Sequence, residues 1–174
     1  MEVNQLITPE RVQCLSGISS KKRALETISK LLGSGAAGVD PTDIFHQLIE
    51  RERLGSTGLG HGVALPHGRL TSTIQQDNSD DAQFDQALQQ GMTLGCFIKL
   101  DEGVDFDSPD SKSADLLFGL LVPENCTDEH LQILATLAKM FSDTQFCEQL
   151  RHCQTNEELF KQLSGWSQSH QANF

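Results

Sequence analysis

Leu116-Leu117-Phe118-Gly119-Leu120-Leu121-Val122 runs without a polar side chain and stops at Pro123. A membrane-crossing helix takes about 20 apolar residues, so this run is too short to span. Its continuous apolar pattern and its length suit a central strand buried on both faces. Such a strand needs a layer above it and a layer below, and the flanking sequence offers both. Downstream, Thr127 reads as a helix cap with Asp128 and Glu129 in the first turn. His130, Leu134, Leu137, Ala138 and Phe141 then share one helical face, and Ser142-Asp143 breaks it. Phe146 and Leu150, followed by Leu159, Phe160 and Leu163, predict two short amphipathic helices, and residues 165–174, with Trp166, read as a polar, frayed tail. Upstream, Met92, Leu94, Cys96, Ile98 and Leu100 alternate, which predicts a strand with one buried face. Asp101 to Ser113 reads as an acidic turn region.

The first half of the chain extends the same interleaving. Val12 to Leu15 predicts a short strand. Ser20 caps a helix carrying Ala24, Leu25, Ile28, Leu31 and Leu32, which Gly33 and Gly35 end. Lys21, Lys22 and Arg23 occupy its first turn, the unfavourable end of the dipole. They read as a solvated face, with a contact patch for an acidic partner as the alternative. Asp40-Pro41 starts a second helix, with Ile44, Phe45, Leu48 and Ile49 as its stripe. It ends near Arg53, which delivers Arg51 to the mouth of a glycine-rich loop. That loop, Gly55-Ser56-Thr57-Gly58-Leu59-Gly60-His61-Gly62, leads through a short strand, Val63-Ala64-Leu65, to Pro66-His67-Gly68. Residues 71–90 are rich in Gln, Asp, Ser and Asn and read as a mobile insertion, in which Phe84, Ala87 and Leu88 could anchor one helical turn. Helices and strands thus alternate around a buried sheet, which predicts one three-layer α/β domain over residues 1–174.

Composition narrows the function. A formal net charge of −11 argues against nucleic acid or an anionic membrane as partner. The N-terminus has no signal-peptide pattern. Five cysteines without a C-x-x-C suggest reduced thiols in a cytoplasmic protein rather than a disulfide frame or zinc knuckle.

His67 could be a metal ligand, a nucleophile or a structural residue. Alternation along the strand predicts that His61 and His67 share a face, but no carboxylate cluster or cysteine pair joins them, so no metal is expected. Gly55-Ser56-Thr57-Gly58 is not a G-x-S-x-G hydrolase turn, and no nucleotide P-loop is present. Phosphoryl transfer to an imidazole nitrogen remains, with a phosphoprotein as donor and no cofactor. A neutral imidazole is a good nucleophile near pH 7. Ser56, Thr57 and Gly58 would hold the phosphoryl oxygens through hydroxyls and backbone N–H groups, and Arg51 would supply a fixed cation. His130, near a helix N-terminus, could stay neutral and donate to a phosphoryl oxygen; the alternative is that it only packs there.

Five segments carry a resemblance: Lys21–Glu26, Arg51-Glu-Arg-Leu-Gly-Ser-Thr-Gly58, Gly62-Val-Ala-Leu-Pro-His-Gly-Arg69, Asp115–Glu124 and His130-Leu131. Spanning about residues 10 to 163, they resemble the enzyme IIA domains of the fructose/mannitol class of the bacterial phosphoenolpyruvate-dependent phosphotransferase system, most of all its nitrogen-related branch. The resemblance implies an α/β/α sandwich with a mixed sheet. It implies that His67 is phosphorylated on Nε2 by an HPr-like phosphocarrier, with His130 and Arg51 as the other active-site residues. It further implies a stand-alone regulator whose phosphorylation state controls binding to target proteins in nitrogen and potassium balance. Alternatives are a sugar-transport subunit passing phosphate to a separate IIB protein, and a binding module of the same fold that is not phosphorylated. His61 departs from the family, which commonly has asparagine or another polar residue there, and the 71–90 segment looks longer than usual.

Overall fold

The computed structural model describes residues 3–36, 39–69, 93–124 and 128–171. The expected insertion at 71–90, the strand start at Met92 and the cap at Thr127 lie outside the described residues. Among the described residues, six strands form one sheet: β1 (Val12–Leu15), β2 (Gly58–Gly60), β3 (Val63–Ala64), β4 (His67–Arg69), β5 (Leu94–Val104) and β6 (Ala114–Val122). Their order is β1-β5-β6-β3-β2, with β4 also paired to β6. β1 runs parallel to β5, and β3 and β4 run parallel to β6, whereas β5–β6 and β2–β3 are antiparallel. The sheet is therefore mixed, as the resemblance implied.

β6 is central, and its side chains sort by parity. Leu116, Phe118 and Leu120 enter one core with Phe97, while Leu117 and Leu121 enter the other with Cys96, Ile98 and Leu100. The first core is closed by α3 (Asp128–Phe141), α4 (Thr144–His152) and α5 (Asn156–Gln171), the second by α1 (Lys21–Ser34) and α2 (Pro41–Leu54). The glycine inside the apolar run also has a reason: a Cβ on Gly119 would collide with Ile28 of α1.

Three expectations need correction. β5 is buried on both faces, because it lies between β1 and β6 and Phe97 stacks on Phe141 of α3 at 6.0 Å while Cys96 and Ile98 face α1. β5 also continues to Val104, opposite Ala114, so the acidic segment opens as strand rather than turn. Finally, α5 continues to Gln171 and Trp166 is only 8% exposed, its ring 6.5 Å from Phe146. Leu159, Leu163 and Trp166 follow the i, i+4, i+7 spacing, so the apolar stripe outlasts the last aliphatic residue.

Candidate functional site

The site is built where the chain crosses from β3 to β4. Both strands keep one register against β6, Val63 opposite Leu116 and His67 opposite Leu120, so they form one strand interrupted at Leu65-Pro66. Pro66 has no N–H to give to a ladder, but its carbonyl still accepts from the Leu120 N–H at 3.0 Å. Leu65 donates its N–H to the Thr57 carbonyl, and its own carbonyl lies 2.8 Å from His67 Nδ1.

That contact assigns the tautomer. A carbonyl oxygen only accepts, so Nδ1 carries the proton. On the other side of the ring, Arg51 Nε donates to His67 Nε2 at 3.2 Å, which requires a lone pair there. His67 is therefore neutral, with its lone pair on Nε2. Its pKa is lowered mainly by burial; the Leu65 hydrogen bond opposes this, and the Arg51 charge adds to it.

α2 brings Arg51 there. Asp40 caps it by accepting from the Thr42 N–H, and Pro41 occupies its first turn. The helix lies against β4 at Gly68, where a Cβ would stand 3.0 Å from Gln47 Cβ and 3.3 Å from the Gln47 backbone. Arg51 is one turn beyond Gln47 on the same helix face, so this close approach sets it over His67. Its Nη1 donates to the Gly55 carbonyl at 2.8 Å.

His130 stands in the first turn of α3, its ring centroid 5.1 Å from that of His67 and tilted by 53°. It is 5% exposed, and its Nδ1 has no hydrogen-bond partner among the described residues. Burial first, then the charges of His67, Arg69 and Arg51, lower its pKa to about 4. That shift favours the neutral ring at pH 7.

The pair opens on a cavity of about 540 Å³ lined by Arg51, His67, Arg69 and His130, with Leu54 and Leu131 at its apolar margin. A cleft of about 320 Å³ continues past Arg51 and His67 to Ser56, Thr57, Gly58, Leu59 and Leu134. Leu54, Leu59 and Leu131 are exposed, while Leu65 is buried. Arg69 is a site residue that the sequence reading did not single out. It stands two positions after His67 on one strand, and period-two alternation was the signal that could have found it.

The glycine loop is not the expected anion cradle. Thr57 gives both its N–H, at 3.2 Å, and its hydroxyl to the Glu52 carboxylate. Ser56 donates its hydroxyl to the Phe106 carbonyl and accepts from the Gly58 N–H at 3.0 Å. These three residues border the cleft, but the hydroxyls and the Thr57 and Gly58 amides already have partners. For Thr57 the reason is Glu52, a carboxylate with 5% side-chain exposure that takes both Thr57 donors and an ion pair from Lys21 at 2.8 Å. Lys21 is accordingly neither a solvated charge nor a free patch for an acidic partner.

His61 does not join His67. It sits in a left-handed turn with Gly62, at φ 56°, so alternation fails between the two histidines. Its N–H donates to Asp110 at 2.8 Å and its carbonyl accepts from Arg151 at 2.8 Å. It lines a separate cleft of about 450 Å³ around the Arg151–Asp115 ion pair, to which neither His67 nor His130 contributes.

Residues 5–165 match the family described as phosphoenolpyruvate-dependent sugar phosphotransferase system, EIIA 2. The chain is 36% identical over 159 residues to the nitrogen regulatory protein of Escherichia coli K12, covering 91% of this chain and 85% of that one. Among solved structures it resembles nitrogen regulatory protein IIA-Ntr from Neisseria meningitidis, with TM-score 0.75, 37% identity, and 92% and 98% of the two chains covered. IIA mannitol from Escherichia coli gives TM-score 0.66 at 25% identity, with 90% and 98% covered.

Proposed function

Because the chain belongs to the EIIA 2 family of the phosphoenolpyruvate-dependent sugar phosphotransferase system, we propose that His67 takes a phosphoryl group on Nε2 from an HPr-like phosphocarrier and that its phosphorylation state controls how the protein regulates other proteins. The observation that carries this reading is the lone pair on Nε2, fixed by a carbonyl on one ring nitrogen and a guanidinium on the other. In the transfer, that lone pair forms a bond to phosphorus as the donor's P–N bond breaks, and the electrons of that bond return to the donor imidazole. The positive charge that develops on the His67 ring is met by the Leu65 carbonyl at Nδ1–H. Arg51 exchanges its bond to Nε2 for one to a phosphoryl oxygen, and a guanidinium suits that role. Arg69, on the same strand face, supplies a second positive charge. His130 is neutral, so it can offer an N–H without first losing a proton to the dianion.

Transfer between two proteins requires in-line approach at an open site. The exposed Leu54, Leu59 and Leu131 around the two arginines form the surface on which we place the donor. This local positive charge sits in a chain of formal net charge −11, which favours an acidic rim on the partner opposite Arg51 and Arg69.

The test is a reconstituted phosphoenolpyruvate relay with an HPr-like donor. Wild type should gain one acid-labile phosphate, and His67→Ala should gain none; labelling retained in His67→Ala would end the assignment. The likeness to IIA mannitol keeps a transport subunit as a second reading. Rapid onward transfer to an added IIB protein would favour transport, and its absence would favour the regulator.

A further inference from the structure

Lys21, the first residue of α1, is not among the groups that contact either imidazole. Its Nζ lies 2.8 Å from Glu52 Oε2, 3.8 Å from Asp107 Oδ2 and 5.0 Å from the centre of the Phe106 ring. Glu52 and the segment around Phe106 are also what grip the glycine loop. Glu52 holds Thr57 by both its N–H and its hydroxyl, the Phe106 carbonyl takes the Ser56 hydroxyl, and Gly58 lies so close that a Cβ there would stand 3.2 Å from Ser108 Cα. Lys21 thus stands behind the contacts that fix the loop facing His67.

It also settles a charge conflict. Glu52 follows Arg51 in α2, and its negative charge favours protonation of His67, against the effect of Arg51 and Arg69. A carboxylate this buried is costly to leave without a cation. Among the described residues, the charged side chains acting on His67 are Arg51 and Glu52 from α2 and Arg69 from β4, with the His130 ring of α3 beside it; those facing Lys21 are Glu52 and Asp107.

We propose that Lys21 is a positioning residue of the phosphoryl-accepting site. By neutralising Glu52 it keeps that carboxylate bound to the glycine loop and leaves the arginines as the charges His67 feels. The proposal rests on the reading of His67 as the acceptor.

The experiment compares Lys21→Met, Lys21→Arg and the double variant Lys21→Met/Glu52→Gln in the full chain. Two quantities are measured: the titration of the His67 imidazole by NMR, and the single-turnover rate of phosphoryl acceptance. Lys21→Met should raise the His67 pKa and slow acceptance by about tenfold or more, in line with the cost of small misplacements in a reacting pair. Lys21→Arg should restore both. The double variant should bring the titration back to the wild-type value or below, because the uncompensated carboxylate is gone. A folded Lys21→Met with unchanged titration and unchanged acceptance overturns the proposal. Should Lys21→Met fail to fold, Glu52→Gln keeps an oxygen toward Thr57 and should lower the His67 pKa; no shift there overturns it equally. The titration uses no phosphoryl donor, so a wild-type protein that takes no phosphate would defeat the reading of His67 and still leave the role of Lys21 to be decided by NMR.

Discussion

The burial of His130 fixes how this protein should respond to acid. An unfolded chain binds a proton on that imidazole near pH 6.5, whereas the folded chain does so only near 4. Between those values the unfolded state holds more protons, so stability falls as pH drops. The loss attributable to His130 is negligible at pH 7, about 2 kcal/mol at pH 5 and about 3 kcal/mol at pH 4. His67, also lowered, adds a loss of the same sign, and carboxylates contribute further below pH 5. The isolating measurement is therefore a difference. Urea unfolding of wild type and of His130→Gln at pH 7 and at pH 5 should show wild type losing about 2 kcal/mol more than the variant over that interval. Parallel losses in the two proteins would refute the argument, since they would mean that the folded pocket tolerates an imidazolium. The same experiment bears on transfer. A phosphoryl dianion on His67 would favour the proton on His130, so phosphorylation should raise the His130 pKa and reduce the acid loss.

Other expectations follow from single contacts. Arg51→Ala should raise the pKa of His67 by removing the charge beside Nε2, and Arg51→Lys, which cannot keep bonds to both His67 and Gly55, should still lower phosphoryl acceptance by about 100-fold in the relay. Arg69→Ala should weaken acceptance less and leave the His67 tautomer unchanged by NMR, because its effect is through charge alone. Gly68→Ala should push α2 off β4, and the distance from Arg51 to His67 should lengthen in a crystal structure of the variant as acceptance falls. Ending the chain at Gly165 should cost about 3 kcal/mol in urea unfolding through loss of the Trp166 ring.

The elements with one dominant pattern were legible in the sequence. Leu116–Val122 read as a two-sided strand because nothing polar interrupts it, and Asp40-Pro41 announced α2 through a cap and a fixed φ. What escaped depended on pairs of residues distant in sequence. β5 alternates on paper, yet Phe97 and Gly95 on its other parity are buried because β1, β6 and α3 enclose them. The site divides in the same way. His67, Arg51 and His130 belong to compact motifs, and the structure brings them together. Ser56 and Thr57 looked like anion donors because a hydroxyl in a glycine loop is a donor until something accepts from it; the acceptor for Thr57, Glu52, lay inside the very motif that named Arg51, and the acceptor for Ser56, the Phe106 carbonyl, lay far along the chain. A carboxylate beside an arginine invites reading as its ion-pair partner or as a solvated charge. Here the helix turns the two neighbours to different sides, Arg51 to the imidazole and Glu52 to the loop and Lys21. That separation, about 100° per residue around α2, is what allows adjacent opposite charges to do different work. It predicts that exchanging them, Arg51→Glu with Glu52→Arg, abolishes acceptance even though composition and net charge are unchanged. A double variant that still took phosphate would show that the site needs only a cation somewhere near the loop, and not a guanidinium aimed at Nε2.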